Sequence, residues 1–175
     1  MVHDPLSPRL LRPLPSGYSL RGMAGEEDIA AWVAIWREAH PGLAVDSARF
    51  HRAFGTDPLL IHERCLLLAD SDGCALGVGA AWIDSDFQGA RVGRVHWLAL
   101  RPSHQGLGLG GVLLAAILEL LTRLHSRSYL MTQSDRFDAI RLYLKHGFTP
   151  LITTAEDKQH WHDITRILAY PPGSW

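Results

Sequence analysis

Cysteine is scarce in this chain: only Cys65 and Cys74 occur, and neither sits in a Cys-x-x-Cys unit. That argues against a disulfide framework or a thiolate metal site, and predicts reduced thiols packed in or near strands in a cytoplasmic compartment. Long apolar runs are missing too. The longest, Val112 to Leu121, is interrupted by Glu119 and falls well short of the roughly eighteen residues that span a bilayer. Residues 1–16 lack the charged start and apolar centre of a secretory leader, and Pro5, Pro8, Pro13 and Pro15 break them up. Nor does one sign of charge dominate. Seventeen Lys and Arg face 18 Asp and Glu, a net charge of −1, with no basic run interleaved with aromatics. Neither nucleic acid nor an anionic membrane is therefore an expected partner.

What remains is an ordinary globular composition, 47% hydrophobic and 20% charged in 175 residues. That length suits one domain able to bury about two-thirds of its unfolded surface. The division expected is a proline-rich N-terminal tail over residues 1–16 and a single domain over 17–175.

The most informative segment runs from Val95 to Leu114, where an apolar strand enters a glycine-spaced turn and then a long apolar helix. Glycines turn the backbone sharply with no Cβ in the way, and a helix start adds unpaired amides and a positive dipole end. Together these make a cradle for a phosphorylated ligand. A nucleoside-triphosphate loop would need Lys followed by Ser or Thr at the helix start, where Gly110, Gly111 and Val112 stand. Gly106-x-Gly108-x-x-Gly111 fits the dinucleotide fingerprint formally. However, Arg101 to Gln105 separate it from its strand, and Ser126 to Thr132 offer no carboxylate for a ribose.

The third reading is Gln105-x-x-Gly108-x-Gly110, preceded by Leu98-Ala99-Leu100 and Pro102. A second segment is Tyr129-Leu130-Met131-Thr132 followed by Ala139-Ile140-Arg141-Leu142-Tyr143-Leu144-Lys145-His146-Gly147-Phe148. In order and spacing, the two resemble the signatures of the GCN5-related N-acetyltransferase (GNAT) superfamily, in detail over residues 91–150 and elsewhere only in pattern.

The resemblance implies acetyl-CoA as cosubstrate. Backbone amides from Gln105 through Gly106, Leu107, Gly108, Leu109, Gly110 and Gly111 would hold its pyrophosphate, and the strand backbone at Leu98, Ala99 and Leu100 its pantetheine. An amide at Leu98 or nearby would face the oxyanion formed when an amine attacks the thioester. Tyr143 occupies the position from which family members protonate the departing thiolate; a core aromatic on the face of Ile140 and Leu144 is the bland alternative. Roughly one lysine-like amine in a thousand is neutral at pH 7, so a base is useful. His96 stands where aralkylamine acetyltransferases of the superfamily carry a histidine acting through water. Strand alternation puts it on the face of Leu98 unless a bulge intervenes. Asp84 and Asp86 are secondary candidates near where acceptors enter. Arg136 departs from the motif, which often has an Asn contacting the coenzyme there. No metal is expected, because His160-x-His162 has no further ligands nearby in sequence.

Periodicity predicts a first strand at Tyr18–Arg21, a helix carrying Ile29, Trp32, Val33 and Trp36, and a short helix from Asp46 to Phe54. Strands at Arg64–Ala69 and Ala75–Ile83 flank the hairpin signature Asp70-Ser71-Asp72-Gly73. Gly77 and Gly79 mark a bulge or a close approach. Ser85–Gly89 reads as a turn, Arg91–Leu100 as a strand, and Gly108 to His125 as a buried helix. Strand 128–132, helix 136–146, strand 148–153 and a last strand near 161–168 follow. The fold expected is α/β (α+β): a mixed, largely antiparallel central sheet of about six to seven strands flanked by about four helices.

The function expected is direct acetyl transfer to a primary amine of a small-molecule or peptide acceptor. Neither cysteine lies in the cradle motifs, and no Gly-x-Ser-x-Gly elbow supplies a covalent nucleophile. A non-catalytic acyl-CoA sensor is the alternative, and it would not need Tyr143 or His96. A homodimer is common in the family.

Overall fold

The structure is a computed structural model and describes residues 1–6 and 13–170. In chain order its elements are β1 (Val2–His3), β2 (Tyr18–Gly22), α1 (Gly25–Ala39), α2 (Ser47–Phe54), α3 (Pro58–Arg64), β3 (Cys65–Asp70), β4 (Ala75–Phe87) and β5 (Ala90–Leu100). A 3-10 turn at Pro102–His104 leads to α4 (Leu109–Thr122), β6 (Ser128–Tyr129), α5 (Phe137–Lys145) and α6 (Ala155–Ile167). The strands form one sheet in the order β1-β6-β5-β4-β3-β2. Only β5 and β6 run parallel; the other neighbours are antiparallel. The mixed, largely antiparallel α/β architecture is as expected, with six helices among the described residues rather than four.

Local chemistry explains most boundaries. The Asp46 carboxylate accepts from the Arg49 amide at 2.7 Å and starts α2. In the β3–β4 hairpin, Asp70 Oδ1 accepts from the amides of Asp72 and Cys74, and Gly73 takes φ +82°. Helices cover both faces of the sheet. On one, Trp32, Trp36, Phe50 and Phe54 of α1 and α2 pack on Val78, Ala80 and Ala99. On the other, Leu113, Leu114, Ile117 and Leu121 of α4 pack on Ala81 and Val95. A Cβ at Gly79 would lie 2.7 Å from Ile117 Cδ1, so this glycine marks a close approach of α4 to the sheet.

Several expectations are corrected. The strand near 161–168 is instead the helix α6, started by a reciprocal Thr154–Asp157 capping box. Its Trp161, Ile164 and Leu168, at helical spacing, join Ile140 and Leu144 in a separate cluster. His160 and His162 lie on this helix. No strand forms over 148–153: Thr149 makes one isolated bridge to Val2, and Pro150 has no N–H to extend it. The helix α3, unexpected, begins at Asp57, whose carboxylate accepts from Leu59 and Leu60, with Pro58 in its first turn. β4 runs on to Phe87, which shortens the expected turn to Gln88 and Gly89. Within the tail expected over residues 1–16, Val2–His3 is the edge strand β1 paired with β6, while residues 7–12 lie outside those described.

Candidate active site

The glycine turn is held from behind. Gln105 donates its side-chain amide to the Leu100 carbonyl at 3.1 Å, fixing the loop to the end of β5. The Gln105 backbone amide is used inside the turn, bonding Pro102 O at 3.2 Å, so the run of open amides begins one residue later than expected. Gly106 and Gly108 adopt φ +78° and +81°, and no protein acceptor takes the amides of Gly106, Leu107 or Gly108 among the described residues. Gly108 caps α4; the Gly111 amide, expected to face the ligand, turns back to Gly108 O at 3.0 Å, so at the helix start only the amides of Leu109 and Gly110 are open among the described residues. Leu107 points outward and Leu109 into the core, and neither lines either pocket.

β5 supplies the floor. Its pairing with β6 stops at Arg94↔Tyr129, so the strand from Val95 to Leu100 opens away from Leu130 and Met131. Its pairing with β4 continues to Gly77↔Leu100 but shifts register between Val78↔Ala99 and Ala80↔His96. Two steps on β4 thus face three on β5. The extra residue is a β-bulge, with Trp97 in the left-handed region at φ +52°. Trp97 is wedged against Trp32 and Trp36 with ring centroids 4.9 and 4.7 Å away, and this aromatic packing holds a conformation that costs an L-residue about 1–3 kcal/mol.

The bulge overturns one placement. His96 does not share the face of Leu98. Its ring packs edge-on to Phe54 at 5.6 Å and Trp97 at 5.8 Å on the α1–α2 face, whereas Leu98 packs with the α4-side cluster that includes Tyr143. Burial, aided by the Arg94 charge, pushes the His96 imidazole down to about 3. The unfolded chain takes up a proton below about pH 6.5 that the folded chain refuses, so stability falls as pH drops from there toward 3. A His96→Gln protein should lose less stability than wild type between about pH 7 and pH 4.5 in urea titrations, and equal losses would contradict the burial of this ring.

Two adjoining pockets, of about 780 and 630 Å³, share a waist of Ala39, His40, Leu98, Arg136, Ala139 and Tyr143. The smaller opens on Gln105, Gly106, Gly108, Gly110 and Gly111, with Ala99 and Leu100 as its floor. The larger opens on Trp36, Leu43, Met131, Thr132 and Gln133. Tyr143, only 8% exposed, sits at the junction, and its hydroxyl has no protein partner among the described residues. Burial pushes its phenol up to about 12. Across the waist, His40 Nε2 meets Arg136 Nη1 at 2.9 Å, joining the end of α1 to the start of α5. Neither residue was marked by local pattern as part of such a contact.

Other candidates fall elsewhere. Asp84 accepts from the Tyr129 hydroxyl and the Asp86 amide, and neither acid lines either pocket. His146 bonds Leu142 O near the end of α5. Cys65 is buried and Cys74 exposed, both free and both outside the groove. Among the described residues no three His, Cys, Asp or Glu side chains gather to hold a metal ion, and no helix is long and apolar enough to cross a membrane.

The chain is similar to known proteins in sequence and in fold. The chain is 36% identical over 145 residues to a mycothiol acetyltransferase from Sanguibacter keddieii, and 32% identical over 141 to one from Salinispora tropica. Each match takes in 78% of this chain but only 45% and 46% of the relative, so the chain spans about half the length of these curated relatives. In structure it is similar to a GCN5-related N-acetyltransferase from Sphaerobacter thermophilus, with TM-score 0.66 at 20% identity over 83% of this chain and 45% of that one. It is also similar to the ribosomal-protein-S18-alanine N-acetyltransferase of Escherichia coli, with TM-score 0.62 at 20% identity over 77% of this chain and 79% of that one. At such identities the likeness is one of fold. The sequence profile of the acetyltransferase (GNAT) family matches residues 25–148, and the chain belongs to that family.

Proposed function

We propose that this protein transfers an acetyl group from acetyl-CoA directly to a primary amine. One observation carries the reading: a continuous groove leads from the open amides of Gly106–Gly108 past the unpaired edge of β5 to the Tyr143 hydroxyl. The fit to acetyl-CoA rests on this chain's own groups. Loop amides and the start of α4 suit a diphosphate, with open space at Gly106 and Gly108 where a Cβ would otherwise stand. The β5 edge suits the amides of a pantetheine arm. The cosubstrate supplies an acyl thioester; the protein supplies placement and charge stabilisation.

Leu98 follows the bulge residue directly and lines both pockets, so its backbone is the candidate donor to the oxygen that gains charge during attack. Tyr143 stays protonated throughout the physiological range. Full transfer of its proton to a thiolate whose thiol has a pKa of about 8.5 runs uphill by roughly three to four pH units. Its contribution is therefore a hydrogen bond to the departing sulfur. No proton is routed through His96, whose ring does not line the groove. Free thiols outside the groove support transfer without a covalent enzyme intermediate, in a cytosolic setting.

Release of free thiol from acetyl-CoA, followed across a panel of primary amines, tests the reading. A Gly108→Val variant forces an L-residue into φ +81° at a position with no neighbour within 4 Å, so the damage stays local. Acetyl-CoA binding should weaken about tenfold, because the free loop relaxes out of the binding conformation to relieve a strain of about 1–2 kcal/mol that the bound state must restore. Binding by the parent chain without thiol release on any amine would favour an acyl-CoA sensor. Absence of binding would overturn both readings.

A further inference from the structure

We propose that the larger pocket takes an amine that also carries a carboxylate, and that Arg136 selects it; this rests on the acetyl-transfer reading. Among the described residues, Arg136 is the only Asp, Glu, Lys or Arg lining that pocket. Its guanidinium is fixed by two uncharged acceptors. Nε donates to Gln133 Oε1 at 2.7 Å, and Nη1 to His40 Nε2 at 2.9 Å. The second contact requires a neutral His40 with its proton on Nδ1, since an imidazolium has no acceptor to offer. Burial, with the Arg136 charge beside it, holds the His40 imidazole below its ordinary value, in keeping with that state. The ring is further set by packing on Trp36, centroids 4.7 Å apart.

The charge of Arg136 is thus positioned but not neutralised. No carboxylate lies within ion-pair distance of it among the described residues, and Nη2 has no protein acceptor. A half-buried guanidinium held in one orientation by neutral partners presents the donor geometry that a carboxylate matches. Arg136 borders the glycine-loop pocket as well, but Asp135 and Asp138 line that pocket and not the larger one, so it is on the side of the larger pocket that its charge lacks a counterpart. The acceptor's amine faces the same field. With a cation at the waist and no carboxylate in the pocket to hold an ammonium, the neutral, nucleophilic form of the amine is favoured. A polyamine would meet repulsion, whereas an amino acid brings the compensating charge.

The test compares each of a set of α-, β- and γ-amino acids with its own carboxamide, at equal free-base concentration, in wild type, Arg136→Gln and Arg136→Lys. Wild type should favour at least one acid over its amide by tenfold or more in kcat/KM. That ratio should collapse toward one in Arg136→Gln and survive in part in Arg136→Lys. Because each ratio is taken within one protein, general damage to the variant cancels. Equal use of acids and amides by wild type, or a preference for diamines, overturns the assignment. So does an unchanged ratio in Arg136→Gln accompanied by weaker acetyl-CoA binding, which would give Arg136 to the cosubstrate. Thiol release from no amine at all, with acetyl-CoA bound, would instead bring down the acetyl-transfer reading itself.

Discussion

Replacing Tyr143 by Phe is expected to lower kcat by roughly 10²-fold while leaving acetyl-CoA affinity nearly unchanged. The ring is almost fully buried and packs edge-on to Phe148 at 6.0 Å, so Phe fills the same volume and the fold survives. Only the hydroxyl is lost, and no protein group depends on it among the described residues. In such a dry setting one hydrogen bond to a departing sulfur is worth a few kcal/mol in the transition state. Steady-state kinetics and calorimetry on the two proteins decide the matter. A kcat within twofold of wild type would reduce Tyr143 to a core aromatic. The pH profile adds a second check. Since the phenol titrates only at about 12, wild-type kcat/KM should climb with pH as the amine loses its proton, with no descending limb due to Tyr143 below about pH 10.

Trp32→Ala should cost about 3–5 kcal/mol of folding stability, the largest single loss anticipated here, read as a drop in urea midpoint with little change in slope. Trp32 is 1% exposed and its ring meets those of Trp36, Phe50, Phe54 and Trp97, at centroid distances from 4.9 to 6.2 Å. Removing the indole leaves a cavity beneath the bulge, so Trp97 loses one of the two tryptophans that keep it left-handed. Turnover should therefore fall along with stability. Trp32→Phe is the informative companion. The indole N–H is buried without an acceptor among the described residues, so Phe forfeits some packing but also removes an unpaired donor, and its cost should stay below about 2 kcal/mol. A loss under about 1 kcal/mol for the alanine variant would mean that this aromatic cluster does not brace the strand.

Much of the candidate site was legible because it is local. The turn at Gly106 and Gly108, the helix after it, and Tyr143 ahead of the capping Gly147 at φ +88° are all written in short-range spacing, and they occur where that spacing places them. Two misreadings were also local. Thr154-x-x-Asp157 and the Trp161, Ile164, Leu168 spacing signal a helix where a strand near 161–168 is expected. Asp57-Pro58 likewise announces α3.

Two features that shape the proposed chemistry could not be read that way. The strand from Arg91 to Leu100 carries no mark of the bulge at Trp97. That depends on Trp32 and Trp36, about sixty residues earlier, being packed beneath it, and a single inserted residue moves His96 off the groove. His40 and Arg136 lie 96 positions apart, and neither looks like a partner for the other until α1 and α5 converge on the same cleft. The chain by itself determined the family, the glycine turn and the position of Tyr143, because backbone conformation and helix capping are set by near neighbours. Which face each side chain meets, and which charges are left without a counterpart, was decided only by the tertiary structure, since those depend on strand register and on contacts that close long loops.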